Sequence, residues 1–227
     1  MPALRSLLIG DSASSWIKAG FVVEETNSRA LTTIGDVTIE LVGPEDGRGI
    51  TAWSFDDLSL NDGSTIDGVR TLRSDDRAAT RSEHTNREHP NLVSHLDHVV
   101  MFTPDIQRTI AALEAAGFEA RRVRDIPGTE PLRQQVFFWA GSTIIELVGP
   151  AEATGGSPAS LWGLAVTCND LDAAHERLDG VLGKPKTAVQ PGRRIATLRT
   201  RDIEISTAIA FMTPHTRGDN QPGDTHA

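Results

Sequence analysis

The chain has 227 residues, 22 Lys or Arg against 31 Asp or Glu, a formal net charge of −9, 38% hydrophobic residues and one cysteine, Cys168. This acidic balance, with no basic stripe interleaved with aromatics, argues against a nucleic-acid-binding protein, and a lone cysteine excludes an intramolecular disulfide or a CxxC metal knuckle and fits a reducing compartment. The longest apolar runs, such as Leu7 to Ile9 and Val136 to Ala140, fall far short of the roughly 18 to 20 residues that span a bilayer, and the N-terminus lacks a signal-peptide hydrophobic region, so a cytoplasmic, non-membrane protein is expected.

The first elements are a strand near Leu4 to Ile9, a short helix after Asp11 carrying Trp16 and Ile17, a Gly20-Phe21 pair, and a hairpin at Gly35. Gly49 to Phe55, followed by Asp56-Asp57-Leu58, resembles the opening of a further strand–helix unit, but no helix or hairpin pattern continues it. From Arg73 to Pro90 there is no large aliphatic or aromatic side chain, which reads as an exposed linker or long loop. His84, His89 and His95 flank that stretch without ligand spacing and read as surface residues.

Beyond it the pattern is clearer. Leu96 to Phe102 is an apolar strand; Thr103 is expected as N-cap with Pro104 at the first helical position, and Ile106, Ile110 and Leu113 share one buried face of a helix closed by Gly117. Gln135 to Ala140 and Thr143 to Val148 flank Gly141-Ser142, a pair suited to a type II′ hairpin turn. A second unit follows, with strand Trp162 to Thr167, Asn169 as N-cap, a helix burying Leu171, Ala174, Leu178 and Val181 and exposing His175, and strands Ile195 to Thr200 and Ile203 to Phe211 around Arg201-Asp202. The residues from Pro214 onward are polar, with Gly and Pro, and are expected to be disordered.

An internal repeat ties these units together, because Gly35 to Pro44 (GDVTIELVGP) and Gly141 to Pro150 (GSTIIELVGP) match at seven of ten positions. Each copy lies downstream of a Gly-Phe pair, Gly20-Phe21 or Gly117-Phe118. A duplicated supersecondary module is the economical reading.

Strand, helix and three strands, with aspartate opening the helix, Gly-Phe closing it and Ile-Glu-Leu-Val-Gly-Pro in the last strand, resembles the glyoxalase, bleomycin-resistance and extradiol dioxygenase (vicinal oxygen chelate) superfamily. Residues 96–148 carry the likeness best. It implies an α+β fold of repeated βαβββ modules whose paired, curved sheets surround a cavity. The expected organisation is a reduced half over 1–60, a linker or long loop over 61–92, a complete domain over 93–212 made of modules 93–150 and 160–212, and a tail over 213–227.

Catalytic members of the superfamily hold a divalent metal with side chains from the first and last strands of each module. His98 and Glu146 match those positions, and the resemblance implies Fe, Mn, Zn or Ni there, polarising substrate oxygens in a lyase, isomerase or dioxygenase reaction. Aligning the helix starts puts Gly163 at the place of His98 in the second module, and aligning the hairpins puts Ser206 at that of Glu146, so two expected ligands are missing. Glu40 fills the glutamate position of the N-terminal module and is a third candidate ligand, with Ser6 or Leu4 where His98 would be. The other reading of each carboxylate is an arginine or polar-cavity partner, since an ionised carboxylate in an apolar strand is costly alone.

Strand parity about Gly141-Ser142 places Phe137 opposite Glu146 and Trp139 opposite Ile144, so Phe137, Trp139 and Glu146 should share one wall. The same construction about Arg201-Asp202 places Arg199 opposite Glu204 and adds Arg193, with Arg194 beside it, to a cationic second wall able to clamp a carboxylate or phosphate. The bland alternative is an Arg199–Glu204 pair with the other arginines solvated. Trp162 is either a stacking platform at the mouth or a core residue. The functional expectation is a small-molecule enzyme using a divalent metal; the alternative is a metal-free small-molecule binding or sequestering protein, and the unequal halves allow a homodimer.

Overall fold

The computed structural model describes residues 1–60, 64–73 and 88–215. They form two mixed sheets. The first contains β1 (Ala3–Ile9), β2 (Glu24–Glu25), β3 (Ala30–Ile34), β4 (Val37–Leu41), β5 (Ile50–Asp56), β6 (Thr65–Ile66) and β7 (Val69–Arg73), with α1 (Ala13–Lys18) after β1. The second contains β8 (Val93–Phe102), β9 (Ala120–Ile126), β10 (Arg133–Ala140), β11 (Thr143–Pro150), β12 (Ser160–Cys168), β13 (Lys186–Thr187), β14 (Arg194–Thr197) and β15 (Ala208–Met212), with α2 (Ile106–Ala115) and α3 (Leu171–Arg177) following β8 and β12. Strand orders are β2-β3-β4-β1-β5-β7-β6 and β13-β14-β15-β12-β8-β11-β10-β9. In each sheet the opening strands of two modules pair antiparallel at the centre, and each takes its own module's last strand as a parallel neighbour.

The fourfold repeat extends to backbone irregularities. Each opening strand has a residue skipped in the pairing with its central partner at one equivalent place, Arg5 in β1, Thr51 in β5, Asp97 in β8 and Trp162 in β12, and β8 skips a further residue, Ser94, near its start. Each of the four equivalent bulges immediately precedes the position equivalent to His98, which is Ser6, Ala52 and Gly163 in the other modules. A bulge bends its strand and re-aims the extra side chain. The Gly49 to Phe55 stretch is thus the opening strand of a real module; no helix follows it among the described residues, but β6 and β7 complete it. These two strands lie inside the stretch read as linker, because Ile66 and Val69 are buried and the barren composition begins only at Arg73.

Both Gly-Phe pairs close their helices in the same way. Gly20 and Gly117 adopt φ of +77° and +97°, and the following Phe21 and Phe118 amides donate back to Trp16 and Leu113 carbonyls. That is the Schellman pattern, in which a residue without Cβ takes the left-handed conformation. The N-caps lie further along than expected. Asp105 rather than Thr103 caps α2 by accepting from the Arg108 amide, and Asp170 rather than Asn169 caps α3 by accepting from the Ala173 amide. Thr103 instead accepts from the Asp105 amide and belongs to the turn before the helix.

The two-residue hairpins at Gly35 and Gly141 form as read, with glycine φ of +61° and +74°. Arg201-Asp202 forms no hairpin. Residues Thr200–Ile203 make a 3-10 turn, Glu204 is left-handed at φ +60°, and β14 pairs with β15 as Thr197 with Ala210. The detour has a cause in the first sheet: the buried Asp11 carboxylate accepts from the Ser206 amide at 2.7 Å, the Ser206 hydroxyl and the Trp16 indole, and the Gly49 amide donates to the same hydroxyl.

Other contacts also tie the sheets. Asp67, in the β6–β7 turn, receives Arg108 and Thr109 of α2. His89 is not a surface residue: it is 5% exposed, accepts from the Val22 amide through Nδ1 and donates to the Thr33 carbonyl through Nε2. His95 is exposed as read, and His175 is half-buried on α3 with Nδ1 donating to the Leu182 carbonyl. His84 and the tail beyond His215 lie outside the described residues. No helix among the described residues is long and apolar enough to cross a membrane.

Candidate ligand site on the second sheet

Alternation along β8, β10 and β11 divides the second sheet into two faces. Val99, Met101, Val136, Phe138, Ile145 and Leu147 are fully buried in the core with Ile106 and Leu113 of α2. His98, Val100, Phe102, Gln135, Phe137, Ile144 and Glu146 lie on the other, half-open face. Register delivers the expected pairs, Phe137 with Glu146 and Trp139 with Ile144. Trp139 stands at the edge, 40% exposed.

At the centre of this face His98 and Glu146 meet. His98 Nε2 is 3.1 Å from Glu146 Oε2, and both side chains are 12% exposed. His98 Nδ1 lies 2.8 Å from Asp97 Oδ2. Sequence neighbours in a strand normally point to opposite faces; the bulge at Asp97 removes that constraint and turns its carboxylate onto the imidazole. Asp97 is in turn gripped by Arg193, at 2.9 Å and 3.3 Å, and touched by Thr167 and His215. Burial alone would raise the Asp97 pKa, but hydrogen bonds from His98 and Arg193, reinforced by their charges, outweigh it and hold the carboxyl well below its ordinary value. With Asp97 accepting from Nδ1, His98 Nε2 is left facing the Glu146 carboxylate across 3.1 Å.

Two further side chains complete the centre, and neither was singled out from the sequence. Gln135 donates through Nε2 to Glu146, while its Oε1 is buried without a partner, and so is Nε of Arg124, the cross-strand neighbour of Gln135. Extending the Phe137–Glu146 parity by one step would have found Gln135. Asp97 was invisible to that reasoning, because only a bulge places it beside His98.

The arginines are arranged differently from the expected second wall. Arg193 is 1% exposed and spent on Asp97, the Thr213 carbonyl, Gln190 and His215. Arg194 is exposed and doubly paired with Asp172 in the first turn of α3. Arg199 is exposed, starts the 3-10 turn and has no antiparallel pairing with Glu204, since the hairpin that required it does not form. Trp162 is 52% exposed and stacks on Phe102, with ring centroids 5.0 Å apart. It is a surface platform, not core.

The ligand positions of the neighbouring module can now be read from pairing. Ile144 pairs with His98 and Glu146 with Val100; correspondingly, Ala208 pairs with Gly163 and Ala210 with Ala165. Ala210, not Ser206, therefore stands where Glu146 stands. The four equivalent positions are His98, Glu146, Gly163 and Ala210, and a Cβ on Gly163 would lie 2.6 Å from the Ala208 carbonyl oxygen. Glu40 sits in the first sheet, opposite Leu8 and Leu31 and 3.9 Å from Arg29. Among the described residues no three His, Cys, Asp or Glu side chains gather as a metal's ligands. The side chains present do not fit a three-ligand metal centre.

No family model matches the sequence, and no curated protein does. Solved structures do match by fold. A variant of 4-hydroxymandelate synthase from Streptomyces coelicolor aligns over 95% of this chain and 94% of its own, with TM-score 0.62 and 14% identity. Catechol 2,3-dioxygenase aligns over 96% of this chain and 89% of its own, at TM-score 0.58 and 10% identity. A xylose isomerase-like TIM barrel/4-hydroxyphenylpyruvate dioxygenase fusion protein aligns over 98% of this chain and 50% of its own, at TM-score 0.61 and 13% identity. The chain has the vicinal-oxygen-chelate fold, in a version with two curved two-module sheets. At these identities the likeness establishes architecture, and function must be argued from the site.

Proposed function

We propose that the open face of the second sheet is a metal-independent small-molecule site centred on His98, Glu146, Gln135 and Arg124. The carrying observation is the set of side chains at the four equivalent positions, where His98 and Glu146 face each other and Gly163 and Ala210 supply no donors. Around that pair a buried acceptor, Gln135 Oε1, and a buried donor, Arg124 Nε, are without protein partners. Such orphaned atoms cost free energy that a bound polar group recovers. The His98–Glu146 pair can bind a carbonyl or hydroxyl and exchange a proton with it. Phe137 supplies an apolar wall beside Glu146.

A second reading is favoured by one feature. Asp97 fixes His98 through Nδ1, as a carboxylate often does for an imidazole that binds a metal through Nε2. In that reading His98 and Glu146 alone hold a divalent ion (Fe, Mn, Zn or Ni), which supplies Lewis acidity for a lyase, isomerase or dioxygenase reaction.

The test of the first reading is a ligand-observed NMR screen of small hydroxy acids, amides and phenols against chelator-treated protein and its His98→Gln and Glu146→Gln variants. Hits lost in both variants support it. Hits indifferent to both, or appearing only when metal is added, contradict it.

A further inference from the structure

The two modules of the second sheet are related by an approximate twofold between β8 and β12, and this relation exposes a subsite some distance from His98. The bulge residue Asp97 corresponds to Trp162, Thr167 to Phe102 and, through the pairings Phe137–Glu146 and Thr197–Ala210, Arg193 to Arg133. In one half, Arg193, Asp97 and Thr167 form a buried ion-pair cluster. In the other half the same three places hold Arg133, Trp162 and Phe102, joined through Phe102: the Arg133 guanidinium lies 5.4 Å over the Phe102 ring and Phe102 stacks on Trp162. The construction is conserved between the halves, but the carboxylate that neutralises Arg193 is replaced by an indole.

We propose that Arg133, Phe102 and Trp162 form a subsite for a planar aromatic anion, with the ring on Trp162 and the anionic group at Arg133. This rests on the reading of the open face as a ligand site. Among the described residues no carboxylate meets the Arg133 guanidinium; its contact is the cation–π approach to Phe102, and its backbone amide donates to Thr129. A cation over an aromatic face is attracted to it yet keeps its donors for an anion. Trp162 is 52% exposed where Trp16 and Trp53 are fully buried, so its outer face offers area to a second ring. Phe102 shares a face with His98 four residues away along β8, about 13 Å at roughly 3.3 Å per residue. The subsite is therefore separate from the His98–Glu146 centre.

The experiment is isothermal titration of the full chain with three probes: naphthalene-2-carboxylate, naphthalene-2-carboxamide and cyclohexanecarboxylate. Variants are Trp162→Leu, Arg133→Gln and His98→Gln, each first shown to unfold at the wild-type temperature. The expected result is that naphthalene-2-carboxylate binds at least tenfold more tightly than either other probe. Arg133→Gln should abolish its advantage over the carboxamide while leaving aromatic binding, Trp162→Leu should weaken both naphthalenes together, and His98→Gln should change neither. No binding of the carboxylate, equal binding of carboxylate and carboxamide, or binding indifferent to Arg133→Gln and Trp162→Leu would overturn the subsite. If binding then responds to His98→Gln, the wider ligand-site reading survives; if it responds to none of the three, that reading falls too.

Discussion

His98 Nδ1 donates to the carboxylate of Asp97, its immediate neighbour in β8, at 2.8 Å, and the same carboxylate neutralises Arg193, whose side chain is 1% exposed. Removing it strands a buried guanidinium, so Asp97→Ala should destabilise the protein by about 3 to 5 kcal/mol. Urea unfolding measures this. A loss under about 1 kcal/mol, the size of a surface pair, would show that Arg193 finds another partner.

The same carboxylate sets an acid dependence. Its folded pKa is depressed, through the hydrogen bonds from His98 and Arg193 that overcome burial. The folded state therefore binds fewer protons than the unfolded chain below about pH 4, and the Asp97 contribution is full above that pH and lost as pH falls. Stability measured between pH 6 and 2 should fall more steeply in the wild type than in Asp97→Asn.

His89 gives a second, separate pH effect. Burial lowers its pKa, opposed by the hydrogen bond to Thr33, and Nδ1 is already accepting from the Val22 amide. Protonation must break that bond. The unfolded chain takes up the proton first, so stability should decline as pH falls below about 6.5. His89→Gln should flatten the profile there, and an unchanged slope would place the effect elsewhere.

Gly163 is fixed by packing. A Cβ there meets the Ala208 carbonyl at 2.6 Å, and both are backbone-held parts of the β12–β15 ladder. Gly163→Ala should cost about 1 to 3 kcal/mol by overpacking, and Gly163→His should fold poorly without creating a metal site. A stable Gly163→His variant binding zinc would refute this view of the position.

Ser206 joins the two sheets through Asp11 and the Gly49 amide. Ser206→Ala deletes the hydroxyl that serves both and leaves the Gly49 donor without its partner, an expected loss of about 1 to 3 kcal/mol. Thermal unfolding reads it directly.

Much of the fold was legible because hairpin glycines, Schellman glycines and a repeated decapeptide are local signals with local causes. The register around Gly141-Ser142 followed from the turn alone, and with it the meeting of Phe137 and Glu146 on one face. The Arg201-Asp202 turn failed because its geometry is decided by Asp11, distant in sequence. The position of Asp97 failed because alternation has no signal for a bulge. Arg193 was misread for the same reason: its partner is the bulged residue. Asp105 and Asp170 as caps were one step from the residues chosen, since adjacent polar side chains compete for one role.

The most direct measurement is titration of chelator-treated protein with Fe(II), Mn(II), Zn(II) and Ni(II), alongside His98→Ala and Glu146→Ala. The account predicts no stoichiometric binding that depends on both residues, because only two donors face each other there. About one equivalent of metal bound by the wild type and lost in both variants would contradict it and establish the two-ligand metal reading instead.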